Sequence, residues 1–119
     1  MEKRNKSLQG KLAEDFAARL LTGLGYKVID RNFRSTFGEI DIVCLKEGYL
    51  VLAEVKARWS TRFGRPEEAV TQSKLWKIGR TGEYYSLTHP DLPKSLRIIV
   101  IALEIKGVKI VSSRIINVD

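Results

Sequence analysis

The sequence has almost none of the residues that build sulfur- or imidazole-based sites. Its 119 residues include one cysteine, Cys44, and one histidine, His89. A single thiol excludes an intramolecular disulfide and a thiolate metal cluster, and Cys44 falls in a predicted buried strand, where a small core residue is expected. His89 falls in a predicted proline-containing loop, which gives little support for a metal or catalytic role. No nucleophile–histidine pair and no glycine-rich phosphate loop followed by lysine is found.

Long hydrophobic runs are also missing. No apolar run is long enough to cross a membrane, and the charged N-terminus lacks the apolar centre of a signal peptide. No basic amphipathic helix with an exposed aromatic face stands out, so a lipid surface is not favoured as a partner. We therefore expect a cytoplasmic protein with no membrane partner.

Acidic residues are scarce relative to basic ones. The chain has 14 Asp and Glu against 21 Lys and Arg, a formal net charge of +7. Such an excess in a small protein suggests a polyanionic partner, although solubility alone explains part of it. The length suits one domain, with the polar residues 1–6 expected to be disordered.

Hydrophobic periodicity predicts two helices and five strands. The first helix starts after an N-cap at Ser7 and ends near Gly25, and the second runs from Pro66 toward Leu87. The predicted strands are 26–33, 38–46, 49–56, 96–105 and 108–118, with a turn at 34–37. The order α-β-β-β-α-β-β predicts an α/β fold in which helices flank a mixed β-sheet.

The chain is organised around a predicted hairpin from Gly38 to Lys56. Two β-rich runs flank the polar pair Glu47-Gly48, which is typical of a two-residue turn. Counting back from that turn places Asp41 opposite Glu54 on the neighbouring strand. The same register places Glu39 opposite Lys56, and strand alternation puts all four side chains on one face.

This arrangement is unfavourable without a partner for the acids. Like charges on directly opposed strand positions destabilise a sheet, and the positions around Asp41 and Glu54 are strongly apolar. A divalent cation bridging the two carboxylates is the simplest remedy, and oxygen ligands favour Mg²⁺ or Mn²⁺. With Lys56 available to stabilise charge on a phosphoryl group, the set points to phosphodiester hydrolysis in nucleic acid. The alternative is a set of surface ion pairs, chiefly Glu39–Lys56.

Other residues extend this hypothesis, each with a plainer alternative. Glu14 lies at the border of the apolar stripe of the first helix, where it either reaches the sheet edge or is a solvated carboxylate. Trp59 and Phe63 either stack on bases or belong to the core, and the basic side of the second helix either follows phosphates or is merely solvated. The nucleic-acid-binding candidates are Arg58, Trp59, Arg62, Arg65, Lys74, Lys77 and Arg80.

The same residues carry a family resemblance. Asp41 followed after a gap by Glu54-Val55-Lys56 resembles the signature of the PD-(D/E)XK nuclease superfamily. More closely, the chain resembles the YraN-type family, small bacterial proteins predicted to be endonucleases related to Holliday-junction resolvases. The matching residues are Gly10, Glu14, Ala17, Gly25-Tyr26, Arg31-Asn32, Gly38-Glu39-Ile40-Asp41, Glu54-Val55-Lys56-Ala57-Arg58, Phe63-Gly64 and Lys74.

The resemblance implies a restriction-endonuclease-like core and roles for individual residues. Asp41 and Glu54 would be metal ligands, Lys56 the catalytic lysine and Glu14 a further acid. Auxiliary polar positions would be Glu39, Gln72 and Lys74. The implied activity is a Mg²⁺- or Mn²⁺-dependent endonuclease acting on DNA, including branched or junction DNA, with a homodimer left open. One departure is that Arg97-Ile98-Ile99 lacks the acid that the family shows at the start of the fourth core strand, so a non-catalytic nucleic-acid-binding or protein-interaction module remains the alternative.

Overall fold

A computed structural model describes residues 2–60, 62 and 64–118, and for residues 2–7 the backbone alone. Two helices and five strands follow one another in the predicted order α-β-β-β-α-β-β, which is confirmed. The elements are α1 (Glu2–Gly23), β1 (Lys27–Ser35), β2 (Gly38–Lys46), β3 (Tyr49–Arg58), a 3₁₀ turn (Pro66–Ala69), α2 (Gln72–Thr88), β4 (Leu96–Lys106) and β5 (Lys109–Asn117).

The five strands form one mixed sheet in the order β1-β2-β3-β4-β5. The pairs β1/β2, β2/β3 and β4/β5 are antiparallel, and β3/β4 is parallel. A parallel pair needs a long crossover connection, and the segment that contains the 3₁₀ turn and α2 supplies it. The predicted mixed sheet with flanking helices is therefore confirmed.

Each face of the sheet is covered by one helix. On one face, Ala13, Ala17 and Leu21 of α1 pack into a cluster with residues of β2, β3 and β4. On the other face, Ile78 and Tyr85 of α2 pack with apolar residues of β2 and β3. Burial on both faces explains why the central strands are nearly continuous apolar runs. Cys44 is fully buried, as expected for a core residue, and no helix of the described residues is long and apolar enough to cross a membrane.

Both helices differ from their predicted bounds. Helix α1 begins at Glu2, before the predicted cap at Ser7 and within the segment 1–6 that was expected to be disordered. The single helix predicted from Pro66 is wrong, because Val70 is extended and separates the 3₁₀ turn from α2. Thr71 then caps α2 by accepting a hydrogen bond from the Lys74 backbone N–H at 3.2 Å. Polar cap residues can restart a helix in this way even where the apolar periodicity runs on.

Strands β1 and β2 both change face at one point, which positions the site. Arg31 contacts α1, whereas Phe33 packs against Tyr85 of α2, although alternate residues of a regular strand share a face. Asn32 between them has φ 55°, a left-handed conformation that asparagine tolerates better than most residues. On β2, Ile40 packs on the α2 side and Ile42 on the α1 side. Asp41 lies between them, so the strand alternation that the sequence predicts, which would put Ile40 and Ile42 on one face, fails at this point.

Candidate active site

An open cleft of about 550 Å³ lies between α1 and the adjoining ends of β2 and β3. Four of the residues predicted to carry the chemistry line it together: Glu14, Asp41, Glu54 and Lys56. The other lining residues are Gln9, Gly10, Ala13, Glu39, Val55, Ala57, Arg58 and Trp59. The cleft therefore brings an acid of the first helix to the two acids and the lysine of the hairpin.

The hairpin has the predicted register until the strands approach the cleft. Lys46 pairs with Tyr49, and the ladder continues regularly to Ile42 and Ala53. Beyond that pair, an Asp41 carboxylate oxygen accepts a hydrogen bond from the Val55 backbone N–H at 2.8 Å. The change of face on β2 thus turns Asp41 toward β3, so that a hydrogen bond from its side chain takes the place of the next backbone hydrogen bond between the strands.

Glu54 is the most perturbed carboxyl of the cleft. Burial, followed by the charge of Asp41 and a hydrogen bond with Asp41, raises its pKa to about 8. The Lys56 ammonium nitrogen lies 3.8 Å from the nearer Glu54 oxygen, and its charge acts in the opposite direction without overcoming the burial. The Glu54 side chain is only 14% exposed. A bound cation would offset the electrostatic cost of holding two carboxyl groups in contact at a poorly hydrated position.

Glu14 reaches this group of residues from α1. Burial and the charge of Asp41 raise its pKa, while Asn32 and Arg31 act to lower it. The nearest Arg31 nitrogen is 3.6 Å away. The sequence left open whether Glu14 reaches the sheet edge or stays solvated, and the structure supports the first alternative.

The contacts of Arg31 with the acids of α1 were not predicted from the sequence. Its guanidinium donates a hydrogen bond to Asp15 at 2.7 Å while remaining close to Glu14, so one cation links two consecutive acids of α1 to β1. Arg31-Asn32 belongs to the set of residues that carry the family resemblance, but nothing in the sequence showed a contact between β1 and α1. A register shift between Val28 and Asp30 places Arg31 opposite Ile42, which faces α1.

Of the three predicted auxiliary residues, Lys74 and Glu39 reach the site and Gln72 does not. Lys74 interacts with Lys56, whose hydrogen bond and charge lower the pKa of Lys74. Glu39 lines the cleft and pairs with Arg34 at 3.1 Å, so the structure does not support the alternative of a Glu39–Lys56 surface ion pair. Gln72 is exposed at the first position of α2 and does not line the cleft.

The nucleic-acid-binding candidates also divide. Trp59 packs against the α1 cluster, which supports its core alternative over base stacking, and the alternatives for Phe63 lie outside the described residues. Arg58 lines the cleft, and its Nε is buried with no hydrogen-bond partner among the described residues. The remaining basic candidates are exposed: Arg62, Arg65, Lys74, Lys77 and Arg80. His89 does not line the cleft, because its ring is stacked on Tyr85 with Nδ1 2.8 Å from the Tyr85 carbonyl oxygen.

Comparison with known proteins assigns the chain to a family. The description of the uncharacterised protein family UPF0102 matches residues 13–114. The chain belongs to UPF0102. A UPF0102 protein of Persephonella marina is 40% identical over 81% of this chain and 83% of its own length, and one of Syntrophomonas wolfei is 38% identical over 91% and 94%. A UPF0102 protein of Thermus thermophilus is 40% identical over 80% and 84%. The resemblance to the YraN-type family is confirmed at the level of family membership, and the UPF0102 name states no activity.

The side chains of the cleft fit a divalent cation at two carboxylates. Asp41 and Glu54 offer oxygen ligands, the kind that Mg²⁺ and Mn²⁺ prefer, and burial together with the charge of Asp41 raises the pKa of Glu54. No group of three or more His, Cys, Asp or Glu side chains that could hold a metal is assembled in the part of the chain that the structure describes. This UPF0102 cleft therefore fits an ion bound by two protein carboxylates, with the remaining ligands from water or substrate.

Proposed function

We propose that this protein is a metal-dependent endonuclease that hydrolyses phosphodiester bonds in DNA. The observation that carries the proposal is the contact between two partly buried carboxyl groups, Asp41 and Glu54, with the Lys56 ammonium 3.8 Å from Glu54. The net charge of +7 supports a polyanionic substrate. The element order and the residues of the cleft also agree with the PD-(D/E)XK resemblance, which implies the same activity.

Each charged residue of the cleft would have a separate role in the hydrolysis. Asp41 and Glu54 would hold Mg²⁺ or Mn²⁺, which when bound acidifies a water molecule and neutralises charge on the phosphoryl oxygens. Lys56 would stabilise the negative charge that develops on the phosphoryl group. Arg58, which lines the same cleft, would hold a neighbouring phosphate by charge-assisted hydrogen bonds from its guanidinium.

A specific observation supports the alternative of a non-catalytic nucleic-acid-binding module. Glu14, the third acid of the cleft, is close to Arg31, so its charge is already partly compensated. A protein that had lost catalysis could keep the basic surface and the fold with the acids held in this way.

Cleavage assays on linear, flapped and four-way DNA with Mg²⁺ or Mn²⁺ test the proposal. We expect wild-type protein to cut at least one of these DNAs, and Glu54→Gln to abolish cutting while DNA binding is kept or becomes tighter. The substitution preserves side-chain size and removes one negative charge beside the phosphate. Lys56→Met should also stop cutting, because it removes the positive charge without removing a carboxylate.

The control for these variants is Glu83→Gln, which removes an exposed carboxylate on α2. It should cut like the wild type. If wild type, Glu54→Gln and Lys56→Met all cut equally, the activity belongs to a contaminant. If none cuts any DNA while all bind it, the non-catalytic module is the better description.

A further inference from the structure

Helix α2 and the turn before β2 carry a group of exposed aromatic side chains. Three rings are open to solvent: Trp76 is 65% exposed, Tyr84 42% and Phe37 40%. The Arg80 guanidinium lies 5.3 Å from the centre of the Phe37 ring and 5.7 Å from that of Trp76, and the rings of Phe37 and Tyr84 are 6.0 Å apart. We call these four residues the aromatic surface. Its existence corrects the expectation that no basic helix exposes aromatic rings.

Close packing between the β1–β2 hairpin and α2 fixes the position of the aromatic surface. Gly38, next to Phe37, approaches α2 so closely that an added Cβ would lie 3.3 Å from the Thr81 hydroxyl and 3.5 Å from the Lys77 Cβ. The Thr81 hydroxyl in turn donates to the Lys77 carbonyl at 2.7 Å. The tip of the β1–β2 hairpin is therefore fixed against the helix, so Phe37 and the α2 rings form a preorganised group.

Basic residues of α2 lead from the cleft toward the aromatic surface. Lys77 follows Lys74 by about one helical turn, and Lys74 interacts with Lys56. Phe37 precedes Asp41 by four strand residues, a distance of roughly 13 Å. A strand of nucleic acid whose phosphate lies at Lys56 would therefore reach the aromatic surface within a few nucleotides.

We propose that the aromatic surface binds unpaired bases, so that the DNA substrate has a single-stranded segment next to its cleaved phosphate. Exposed rings offer stacking partners for any base, and Arg80 between two rings adds a cation that can stack on a base as well. Paired bases inside a duplex cannot present their faces to such rings. This inference rests on the proposed action on nucleic acid.

The charges around the aromatic surface suit a nucleic-acid strand. Lys77 and Arg80 are exposed on α2. The nearby acids are Glu83, exposed on α2, and Glu39, whose charge is paired with Arg34 at 3.1 Å. A strand can therefore follow the basic side of α2 while its bases turn toward the rings.

A binding experiment with matched DNAs tests the inference. Full-length Glu54→Gln protein in EDTA is titrated into a duplex with a short thymidine overhang, and into the same duplex with an abasic overhang of equal length and charge. We expect roughly tenfold tighter binding to the thymidine overhang, because stacking on exposed rings favours base-bearing strands. Trp76→Leu and Phe37→Leu should each bring the two affinities close together. Leu87→Ala, a change at an 80% exposed position of α2 outside the ring contacts, should keep the difference.

The outcomes separate this inference from the proposed activity, since no cleavage is measured. Equal affinity of the Glu54→Gln protein for the two overhangs would overturn the inference even if wild-type protein cuts duplex DNA. So would a tenfold preference that persists when Trp76→Leu and Phe37→Leu are combined. As a second readout, Trp76 fluorescence in a Trp59→Phe protein should be quenched by the thymidine overhang. A response to vesicles of phosphatidylglycerol and phosphatidylcholine without a response to the overhang would assign the rings to a membrane surface and contradict the proposal.

Discussion

Replacing Glu54 by glutamine should make the metal-free protein more stable, by an amount that grows with pH. A carboxyl with a pKa near 8 in the folded protein keeps its proton while the unfolded chain, with a pKa of 4.5, loses it. Folding is therefore increasingly penalised as the pH rises from about 4.5 to about 8. Glutamine has no proton to lose, so the variant escapes this penalty.

The expected size follows from the width of that interval. Each pH unit inside it changes the free energy of unfolding by at most about 1.4 kcal/mol. Between pH 5 and pH 7 the wild type should therefore lose up to roughly 3 kcal/mol through Glu54, and solvent screening reduces this to on the order of 1–2 kcal/mol. This is a measurable fraction of the total stability of a small domain.

The assay is urea unfolding of wild type, Glu54→Gln and Glu83→Gln in EDTA at several pH values from 5 to 8. The stability advantage of Glu54→Gln over wild type should be small at pH 5 and largest at pH 8. Glu83→Gln changes an exposed carboxylate and should follow the wild type throughout. A Glu54→Gln advantage that is the same at pH 5 and pH 8 would refute the view that the Glu54 proton is retained on folding.

Three further predictions rest on other parts of the molecule. Gly82→Ala should destabilise the protein by about 1–3 kcal/mol in thermal unfolding, because an added methyl would collide with the buried Leu52. The control is Gly79→Ala, where the nearest atom to an added methyl is 3.9 Å away, and this variant should be neutral or stabilising. DNA affinity should fall steeply with salt and persist in EDTA, because counterion release accompanies each neutralised phosphate; an affinity that is flat from low to physiological salt contradicts this. Cys44, whose pKa is raised to about 12 by burial, should react with a thiol reagent only after unfolding in urea, and rapid native labelling would show that the strand opens.

Local signals were enough to predict the hairpin and its acids. The pair Glu47-Gly48 determined the turn, because only a short polar break separates two β-rich runs, and the register followed by counting to Ile42 and Ala53. The same counting brought Asp41 near Glu54 and Lys56. The element order was likewise readable, since apolar periodicity and turn residues are local properties of the chain.

Contacts between distant elements could not be predicted in the same way. Asp41 accepts a hydrogen bond from the Val55 N–H at a point where β2 changes face, close to the left-handed residue Asn32 of β1. Strand alternation alone predicts no change of face there. The ion pairs of Arg31 require knowing that α1 crosses β1, which no local pattern states. The break between the 3₁₀ turn and α2 was missed for a different reason, since apolar spacing continued through Val70 and concealed the Thr71 cap.

The proposed hydrolysis requires a cation bound by Asp41 and Glu54, and calorimetric titration with Mn²⁺ measures this binding without any substrate. The wild type should bind at these two carboxylates, with binding lost in both Asp41→Asn and Glu54→Gln and retained in Lys56→Met, since the lysine is not a ligand. The Glu83→Gln control should bind like the wild type. Binding that is absent from the wild type, or that is unchanged in both Asp41→Asn and Glu54→Gln, would contradict the central claim.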